Sequence, residues 1–244
     1  MRRLLVVMTI ASALFAFCLA GASAQTLTVG TDAAYKPFEF IDEQGEFQGF
    51  DIDLIRAIGE AMGMEVVLIN TAWDGIIPGL INGDYDVIIS AMTITPERAE
   101  SVDFSDPYFD AGQSILVRKE RTDIQGRDDL IGKTVAVQIG TTGDLAVSEV
   151  EGIKVSRFNL MPEAFQELLN GAADAVVGDN ATVIDFAAQN PDLVTVIGEP
   201  FTEEQYGIAI RKGNKELLAK VNAALAQIRA DGTYQTIFDK WFSE

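Results

Sequence analysis

Residues 85–98 read YDVIISAMTITPER. The apolar run 87–89 is bounded by polar residues, which predicts a buried strand of a parallel sheet. Thr95 followed by Pro96 is typical of a helix start, with Thr95 as the N-cap. The predicted strand therefore ends in small and hydroxyl-bearing residues and one guanidinium. Ligands of open α/β sheets bind at such strand ends.

The residues after this strand suit a small carboxylate. Arg98 can hold a carboxylate through two hydrogen bonds, and Thr93 can donate to it. Ser90 and Ala91 are small enough to let a ligand approach the backbone closely. A strand–loop–helix connection with an incidental surface arginine would give the same local pattern. The stretch alone does not decide between the two interpretations.

The N-terminal residues predict export. Arg2 and Arg3 precede an apolar run that ends in Ala-Ser-Ala, which is typical of a secretory signal at residues 1–24 cleaved before Gln25. Cleavage removes Cys18, the single cysteine of the 244-residue chain. The mature chain is long enough for one large domain or two smaller ones.

Composition excludes several classes of function. The sequence contains no histidine, which rules out histidine-dependent catalysis and histidine metal sites, and the mature chain has no thiol for disulfides or metal binding. The net charge of −19 predicts that the chain does not bind nucleic acid or anionic lipid through a basic surface.

Strand and helix patterns alternate along the mature chain. The predicted strands are 27–31, 65–69, 87–89, 114–117, 134–138, a segment near 155, 175–177 and 193–197. The predicted helices are 50–62, 75–81, 143–150, 161–169, 181–189, 216–230 and 234–242. A further helix begins at 96–98, and 128–131 forms a helical turn. Residues 79–90 and 167–178 share the order helix end, Asn-Gly, Asp and strand, which predicts two similar halves.

Polar residues at the strand ends of the two halves predict an amino-acid site. Arg98 and Thr93 suit a carboxylate, as do the backbone N–H groups at Thr141 and Thr142, where a helix begins. Asp179 follows a strand of the other half and suits an ammonium group. A ligand that carries both groups on one carbon is an α-amino acid.

Three further residues are candidates for recognition of the ligand's side chain. Tyr35 and Trp73 can form flat walls, and Asp32 can accept hydrogen bonds from a distal group. Each aromatic residue is by itself more typical of a core, and Asp32 is as typical of a turn or cap as of a ligand site. The local sequence leaves these alternatives open.

Six stretches in order resemble the periplasmic polar-amino-acid-binding proteins of bacterial ABC importers, solute-binding protein family 3. They are GTDAAYKPFEF (30–40), GFDIDL (49–54), TITPER (93–98), DFSDPY (103–108), GTTG (140–143) and DGTYQTIFDKWF (231–242). From residue 27 to residue 241 the chain is similar to the glutamine-binding and the lysine/arginine/ornithine-binding proteins.

The resemblance implies a fold. It is a type II periplasmic binding protein of the α/β class, in which two lobes close over a ligand. Each lobe is a mostly parallel sheet flanked by helices, and two chain crossings, near 108–112 and 203–207, join the lobes. Residues 25–109 with 206–244 would form lobe 1, and residues 110–205 would form lobe 2.

The resemblance also implies roles for residues that contact the ligand's backbone groups. Arg98 and the N–H groups of Thr93 and Thr142 would hold the α-carboxylate. Asp179, the Thr93 hydroxyl and the Ala91 carbonyl would hold the α-ammonium group.

Side-chain selectivity would come from other positions. Tyr35 and Trp73 would enclose the ligand's side chain, and Asp32 would accept from its distal N–H groups. The glutamine-binding relatives have lysine where Gln138 stands and histidine where Gly178 stands. Loss of a cation and extra space favour a long cationic side chain, which can stack between the aromatic walls. We therefore predict arginine, lysine or ornithine as the ligand, with glutamine as the alternative.

The competing class is an exported dehydratase-like enzyme of the same fold, which would use a buried carboxylic acid as a general acid. Asp179 is better explained as the partner of an ammonium group, and a chain without histidine has few catalytic options. We expect binding without turnover, no cofactor and no metal. We also expect a periplasmic monomer whose partner is the membrane permease of an ABC importer.

Overall fold

A computed structural model describes residues 25–243. The predicted signal at 1–24 lies outside these residues, whereas every candidate site residue lies within them. No helix of the described chain is both long enough and apolar enough to cross a bilayer.

Residues 25–243 form fifteen strands and eight α-helices. The strands are β1 (Gln25–Thr31), β2 (Ala34–Tyr35), β3 (Glu39–Ile41), β4 (Phe47–Gln48), β5 (Met64–Asn70), β6 (Val87–Ile88), β7 (Val102–Phe104), β8 (Phe109–Ala111), β9 (Gln113–Arg118), β10 (Thr134–Gln138), β11 (Lys154–Phe158), β12 (Ala175–Asp179), β13 (Val194–Ile197), β14 (Glu204–Tyr206) and β15 (Ala209–Arg211). The helices are α1 (Phe50–Met62), α2 (Trp73–Asn82), α3 (Pro96–Ser101), α4 (Thr142–Ser148), α5 (Met161–Leu169), α6 (Asn180–Gln189), α7 (Lys215–Ala230) and α8 (Thr233–Phe242), with a 3₁₀ turn at Arg127–Leu130.

Most predicted elements lie within a few residues of the observed ones. Helix α1 has the predicted bounds because its apolar positions recur at helical spacing and Gly63 ends it with a positive φ of 66°. Helix α2 begins at Trp73 rather than at Gly75, which places the Trp73 ring on the first helical turn. Thr95 caps α3 as predicted, since its hydroxyl accepts from Arg98 N at 3.1 Å.

Two five-stranded sheets share one arrangement. The strand order is β5-β1-β6-β15-β7 in sheet 1 and β11-β10-β12-β9-β13 in sheet 2. In each, the first three strands are parallel, the fourth is antiparallel to the third, and the fifth is antiparallel to the fourth. Four strands of each sheet therefore point the same way, which confirms the predicted α/β fold with mostly parallel sheets.

The reversed strand of each sheet follows a chain crossing. Strands β8 and β14 pair with each other antiparallel, with Gln205 opposite Asp110, and lie at the predicted crossings. Each crossing strand leads into the reversed strand of a sheet, β9 or β15. The β8–β14 ladder therefore joins the two sheets. The division into lobes at 109/110 and 205/206 stays a prediction, which this ladder supports.

The predicted strand at 87–89 lies in the middle of sheet 1. Val87 pairs with Val29 of β1 and with Ile210 of β15, and Val87 and Ile88 are fully buried. Burial of one such side chain contributes about 1.5–3 kcal/mol to the free energy of unfolding. Strand β12 holds the same place in sheet 2, in keeping with the predicted similarity of 79–90 and 167–178.

Candidate functional site

A cavity lies where the strand ends of the two sheets meet. All eleven residues predicted from the sequence line it, together with Glu39: Asp32, Tyr35, Trp73, Ser90, Ala91, Thr93, Arg98, Gln138, Thr141, Thr142 and Asp179. The structure brings these residues together, and their roles in binding remain predictions.

Equivalent strands of the two sheets place side chains opposite each other in the cavity. Asp32 follows β1 of sheet 1, and Gln138 ends β10, the corresponding strand of sheet 2. Gln138 Nε2 donates to Asp32 Oδ2 at 2.9 Å. In the same way, Ser90 and Ala91 follow β6, whereas Asp179 ends its counterpart β12. The similarity of the two halves therefore accounts for the pairing of the strand ends.

Arg98 lies at one end of the cavity between two loops. Its Nη1 donates to the Thr93 carbonyl at 2.8 Å, and its Nη2 donates to the Gly140 carbonyl at 3.4 Å. The guanidinium carbon lies 5.1 Å from the centre of the Trp73 ring. Burial lowers the pKa of Arg98, while Asp179 and Glu204 oppose that effect. Arginine remains protonated at physiological pH, and it has five N–H donors, so the two observed bonds leave capacity for an anion.

Glu204 of the crossing strand β14 connects the loops at this end. Its Oε2 accepts from Thr93 Oγ1 at 2.7 Å and from Thr142 Oγ1 at 2.8 Å. The sequence placed Glu204 within the predicted crossing, but the same prediction covered Glu203. Side chains alternate along a strand, and only the position of β14 between the sheets shows that Glu204 is the one that contacts Thr93 and Thr142.

Asp179 is buried among neutral donors. Its carboxylate accepts from Gln113 Nε2 and from the Tyr206 hydroxyl, two residues that the sequence analysis did not single out. Burial and then the nearby charge of Glu204 raise the pKa of Asp179 to about 6, and hydrogen bonds from Tyr206, Gln113 and Tyr35 oppose this rise. An ammonium group in the cavity would stabilise the ionised form.

Asp32 at the other end of the cavity has a similar environment. It is 5% exposed. Burial raises the pKa of Asp32 to about 6, while hydrogen bonds from Gln138 and from the Trp73 backbone N–H oppose the rise and the charge of Asp74 adds to it. A cationic group beside Asp32 would likewise favour its ionised form.

Glu39 is the lining residue that sequence reasoning missed. It belongs to β3, is 0% exposed, and accepts from Ser90 Oγ at 2.9 Å. Burial and then the charge of Asp51 raise the pKa of Glu39 well above its usual value. The available signal was a glutamate between Phe38 and Phe40 in an aromatic cluster. Among the lining residues, all within the described chain, Arg98 is the only cation and faces three carboxyl groups.

The prediction that Gly178 opens space for a ligand is wrong. A side chain at Gly178 would collide with Met161 of α5 and approach Val183 of α6. The glycine therefore makes room for the packing of a helix on sheet 2. Gln138, the other departure from the glutamine-binding relatives, does line the cavity.

Comparison with known proteins identifies the family. Residues 27–244 match the family model described as bacterial extracellular solute-binding proteins, family 3. The chain belongs to this family. The match covers both sheets and every residue that lines the cavity, which confirms the resemblance inferred from the six sequence stretches. The family's extracellular location also agrees with the prediction of export.

Three family-3 or related proteins illustrate the range of similar sequences and structures. An ABC transporter arginine-binding protein 1 from Escherichia coli is 38% identical over 97% of this chain and 99% of its own. The structure of an ancestral arginine-binding protein bound to glutamine has a TM-score of 0.87 and 52% identity, over 90% of this chain and 98% of that chain. The structure of the ancestral amino-acid-binding protein AncCDT-1, a precursor of cyclohexadienyl dehydratase, has a TM-score of 0.85 and 48% identity. The similarity covers 89% of this chain and 96% of that chain.

Proposed function

We propose that this chain captures a basic α-amino acid, namely arginine, lysine or ornithine, outside the cytoplasm. It would then deliver the amino acid to the membrane permease of an ABC importer. The observation that carries the proposal is the charge pattern of the cavity, which the guanidinium of Arg98 lines together with the carboxyl groups of Asp32 and Asp179. Family membership and the naming of similar proteins as arginine-binding support it.

Each charged group of a basic amino acid has a candidate partner among the residues that line the cavity. Arg98 would hold the α-carboxylate, with help from the Thr93 and Thr142 N–H groups. Asp179 would pair with the α-ammonium group, and Asp32 would pair with the distal cation. Hydrogen bonds to charged groups contribute about 1.5–3 kcal/mol each, so the three pairs together would account for most of the affinity.

A cationic side chain fits the Asp32 end better than a neutral one. With glutamine bound, the Asp32 carboxylate would remain buried without an opposite charge, or it would take up a proton. With arginine or lysine bound, the ligand's cation would supply the charge. The Trp73 and Tyr35 rings also favour a cation between them.

Glutamine is a second candidate. The amide of Gln138 donates to Asp32, and the same amide could exchange hydrogen bonds with the amide of a glutamine ligand. A similar arginine-binding protein has been solved with glutamine bound, so its site accommodates that ligand. The two candidates differ in how much they depend on the charge of Asp32.

Thermal unfolding with a panel of ligands tests the proposal. The protein beginning at Gln25 would be heated with each of the twenty common amino acids and with ornithine. At about 100 times Kd a ligand raises the free energy of unfolding by about 2.7 kcal/mol, so we expect a clear rise in Tm with basic amino acids. No rise with any amino acid would contradict the function. A rise with glutamine alone would contradict the ligand class only.

A further inference from the structure

Two buried carboxyl groups meet at the wall of the cavity, where Glu39 lines it and contacts Asp51. Glu39 of β3 and Asp51 of α1 are both 0% exposed. Within the described chain, Glu39 Oε2 and Asp51 Oδ1 are buried without a hydrogen-bond partner. The other oxygen of each group is well satisfied, because Glu39 Oε1 accepts from Ser90 Oγ and Asp51 Oδ2 accepts from Ala91 N and the Tyr108 hydroxyl.

One shared proton would satisfy both unpartnered oxygens. Two ionised carboxylates side by side in a buried site repel each other and lack solvation, so such pairs retain a proton. Burial raises the pKa of both groups, and a hydrogen bond with Glu39 partly lowers the pKa of Asp51 again. The pair therefore retains one proton, which either carboxyl group can donate to the other.

The groups of the described chain that interact most strongly with the charge of the pair are known. They are Asp32, Asp179, Tyr35, Tyr108 and Tyr234. All five are acids. Protonation is therefore the available means of removing one negative charge from this site.

The pair holds the backbone that forms the floor of the cavity. Asp51 Oδ2 accepts from Ala91 N at 2.7 Å. Ala91 has a φ of 43°, a conformation that costs a non-glycine residue free energy and persists only where its surroundings hold it. Ser90 Oγ, which donates to Glu39, accepts in turn from Asp32 N at 3.0 Å. Both carboxyl groups thus fix the turn at Ser90 and Ala91, and Glu39 reaches Asp32 through Ser90.

We propose that Glu39 and Asp51 share one proton and act as a positioning pair, which holds the turn at Ser90 and Ala91 and the start of the Asp32 loop in the conformation that binds the amino acid. This inference rests on the proposed function. When the proton is lost, the two carboxylates would repel each other. Glu39 and Asp51 would move apart, Ser90 and Ala91 would lose the positions that these residues give them, and the affinity for the amino acid would fall.

The main test compares Glu39→Gln with Glu39→Ala. The glutamine amide donates to Asp51 Oδ1 and accepts from Ser90, so it reproduces the protonated acid without a proton to lose. We expect Glu39→Gln to keep the Kd for arginine within about threefold at pH 7, and Glu39→Ala to raise it more than about tenfold. Equal losses in both variants would overturn the proposal.

The pH profile separates a shared proton from simple packing. Between about pH 7 and about pH 10 the affinity of the wild type should fall relative to that of Glu39→Gln, by up to about tenfold per pH unit once the pair ionises. Deprotonation of the ligand's ammonium group affects both proteins equally and cancels in the ratio. Parallel profiles would overturn the proposal. Asp51→Asn also removes the shared proton. The affinity of Asp51→Asn relative to that of Glu39→Gln should therefore not change with pH, and this variant can replace Glu39→Gln if the latter does not fold.

A direct measurement needs no ligand. Infrared spectra of the unliganded protein at neutral pH should show the C=O stretch of a protonated carboxyl group that is absent from Glu39→Gln. A wild type without this band, or a band that persists in the variant, would contradict the pair. A wild type that shows the band but binds no amino acid would contradict the proposed function instead, so the two failures are distinguishable.

Discussion

The two ends of the cavity hold their polar groups by different means. At the Arg98 end, backbone carbonyls fix the guanidinium and a residue of the crossing strand, Glu204, joins the hydroxyls of both loops. At the Asp32 end, one side-chain hydrogen bond from Gln138 crosses the cavity. Backbone contacts and a crossing strand make the first end difficult to change. At the second end Asp32 and Gln138 contact each other through their side chains alone, so we expect substitution of these two side chains to change ligand preference with little effect on the fold.

Arg98→Ala would remove the anchor of the first end. Loss of the guanidinium leaves the α-carboxylate without its charged donor, and we expect the Kd for every amino-acid ligand to rise about a hundredfold or more, which corresponds to about 3 kcal/mol. Isothermal titration calorimetry measures the change. Arg56→Ala, an exposed arginine of α1, is the matched control and should bind normally. Undiminished affinity in Arg98→Ala would reject the carboxylate assignment.

Asp32→Asn would change the second end alone. The asparagine oxygen can still accept from Gln138, but the charge is lost. We expect arginine to bind about 10- to 100-fold more weakly and glutamine to change only a few-fold, because only arginine loses a salt bridge. Competition titrations with both ligands give the ratio. Asp74→Asn removes an exposed charge nearby and should have a small effect. Equal losses for both ligands would show that Asp32 does not select for charge.

The pH dependence of arginine binding sharpens the comparison. Since the pKa values of Asp32 and Asp179 are raised to about 6 in the unliganded protein, both groups bind protons as the pH falls below 6. A cationic ligand requires the ionised forms. We expect the affinity to fall between about pH 7 and about pH 5 by up to tenfold per pH unit for each group, and Asp32→Asn to reduce this slope.

The same two groups have the opposite effect on the unliganded protein. Because their pKa values in the folded state are above those in the unfolded state, the folded state binds more protons between about pH 4 and pH 6. The stability that they contribute is present at low pH and is lost as the pH rises through 6. Thermal unfolding without ligand measures this. A stability contribution that rises over this range and disappears in Asp32→Asn would contradict the raised pKa.

Glu204→Gln should have the smallest effect. The variant keeps the size of the side chain, and its amide oxygen can still accept from both Thr93 and Thr142. That acceptor is no longer charged, and the oxygen that accepts from Thr202 becomes a donor. We expect a loss of about three- to tenfold, equal for arginine and glutamine, because the Arg98 end contacts groups that both ligands share. Glu203→Gln, its exposed neighbour, is the control. A ligand-dependent loss would show that the two ends are not separate in function.

Hydrophobic patterns made most of the fold predictable. Buried strands and helices need apolar side chains at regular positions, so burial produces a pattern within one stretch of sequence. Examples are the fully apolar run 87–89 and the helical spacing of apolar residues in α1. The eleven site residues could be predicted from the sequence for a related reason, since ligands bind at the strand ends of an α/β sheet. Their convergence on one cavity required two sheets with the same strand arrangement.

The residues that were missed depend on packing between distant segments. Glu204 and Gln113 contact residues of the cavity only because the crossing strands lie between the sheets. Asp51 is a first-turn acid of α1, and its role depends on β3 and on the turn after β6. Gly178 illustrates the reverse error, because whether a glycine makes space for a ligand or for a helix depends on where Met161 lies. Such information is three-dimensional and has no local sequence pattern.

The position of β15 has a consequence for the order in which the chain can fold. Sheet 2 is built from strands within one continuous stretch, from Gln113 to Ile197. In sheet 1, β15 fits between β6 and β7, so the sheet stays open until residues 209–211 reach it from more than 100 residues away. Pairings of such long sequence separation form slowly. A chain of this topology that crosses a membrane from its N-terminus would therefore remain without half of its binding cavity until nearly all of it has emerged.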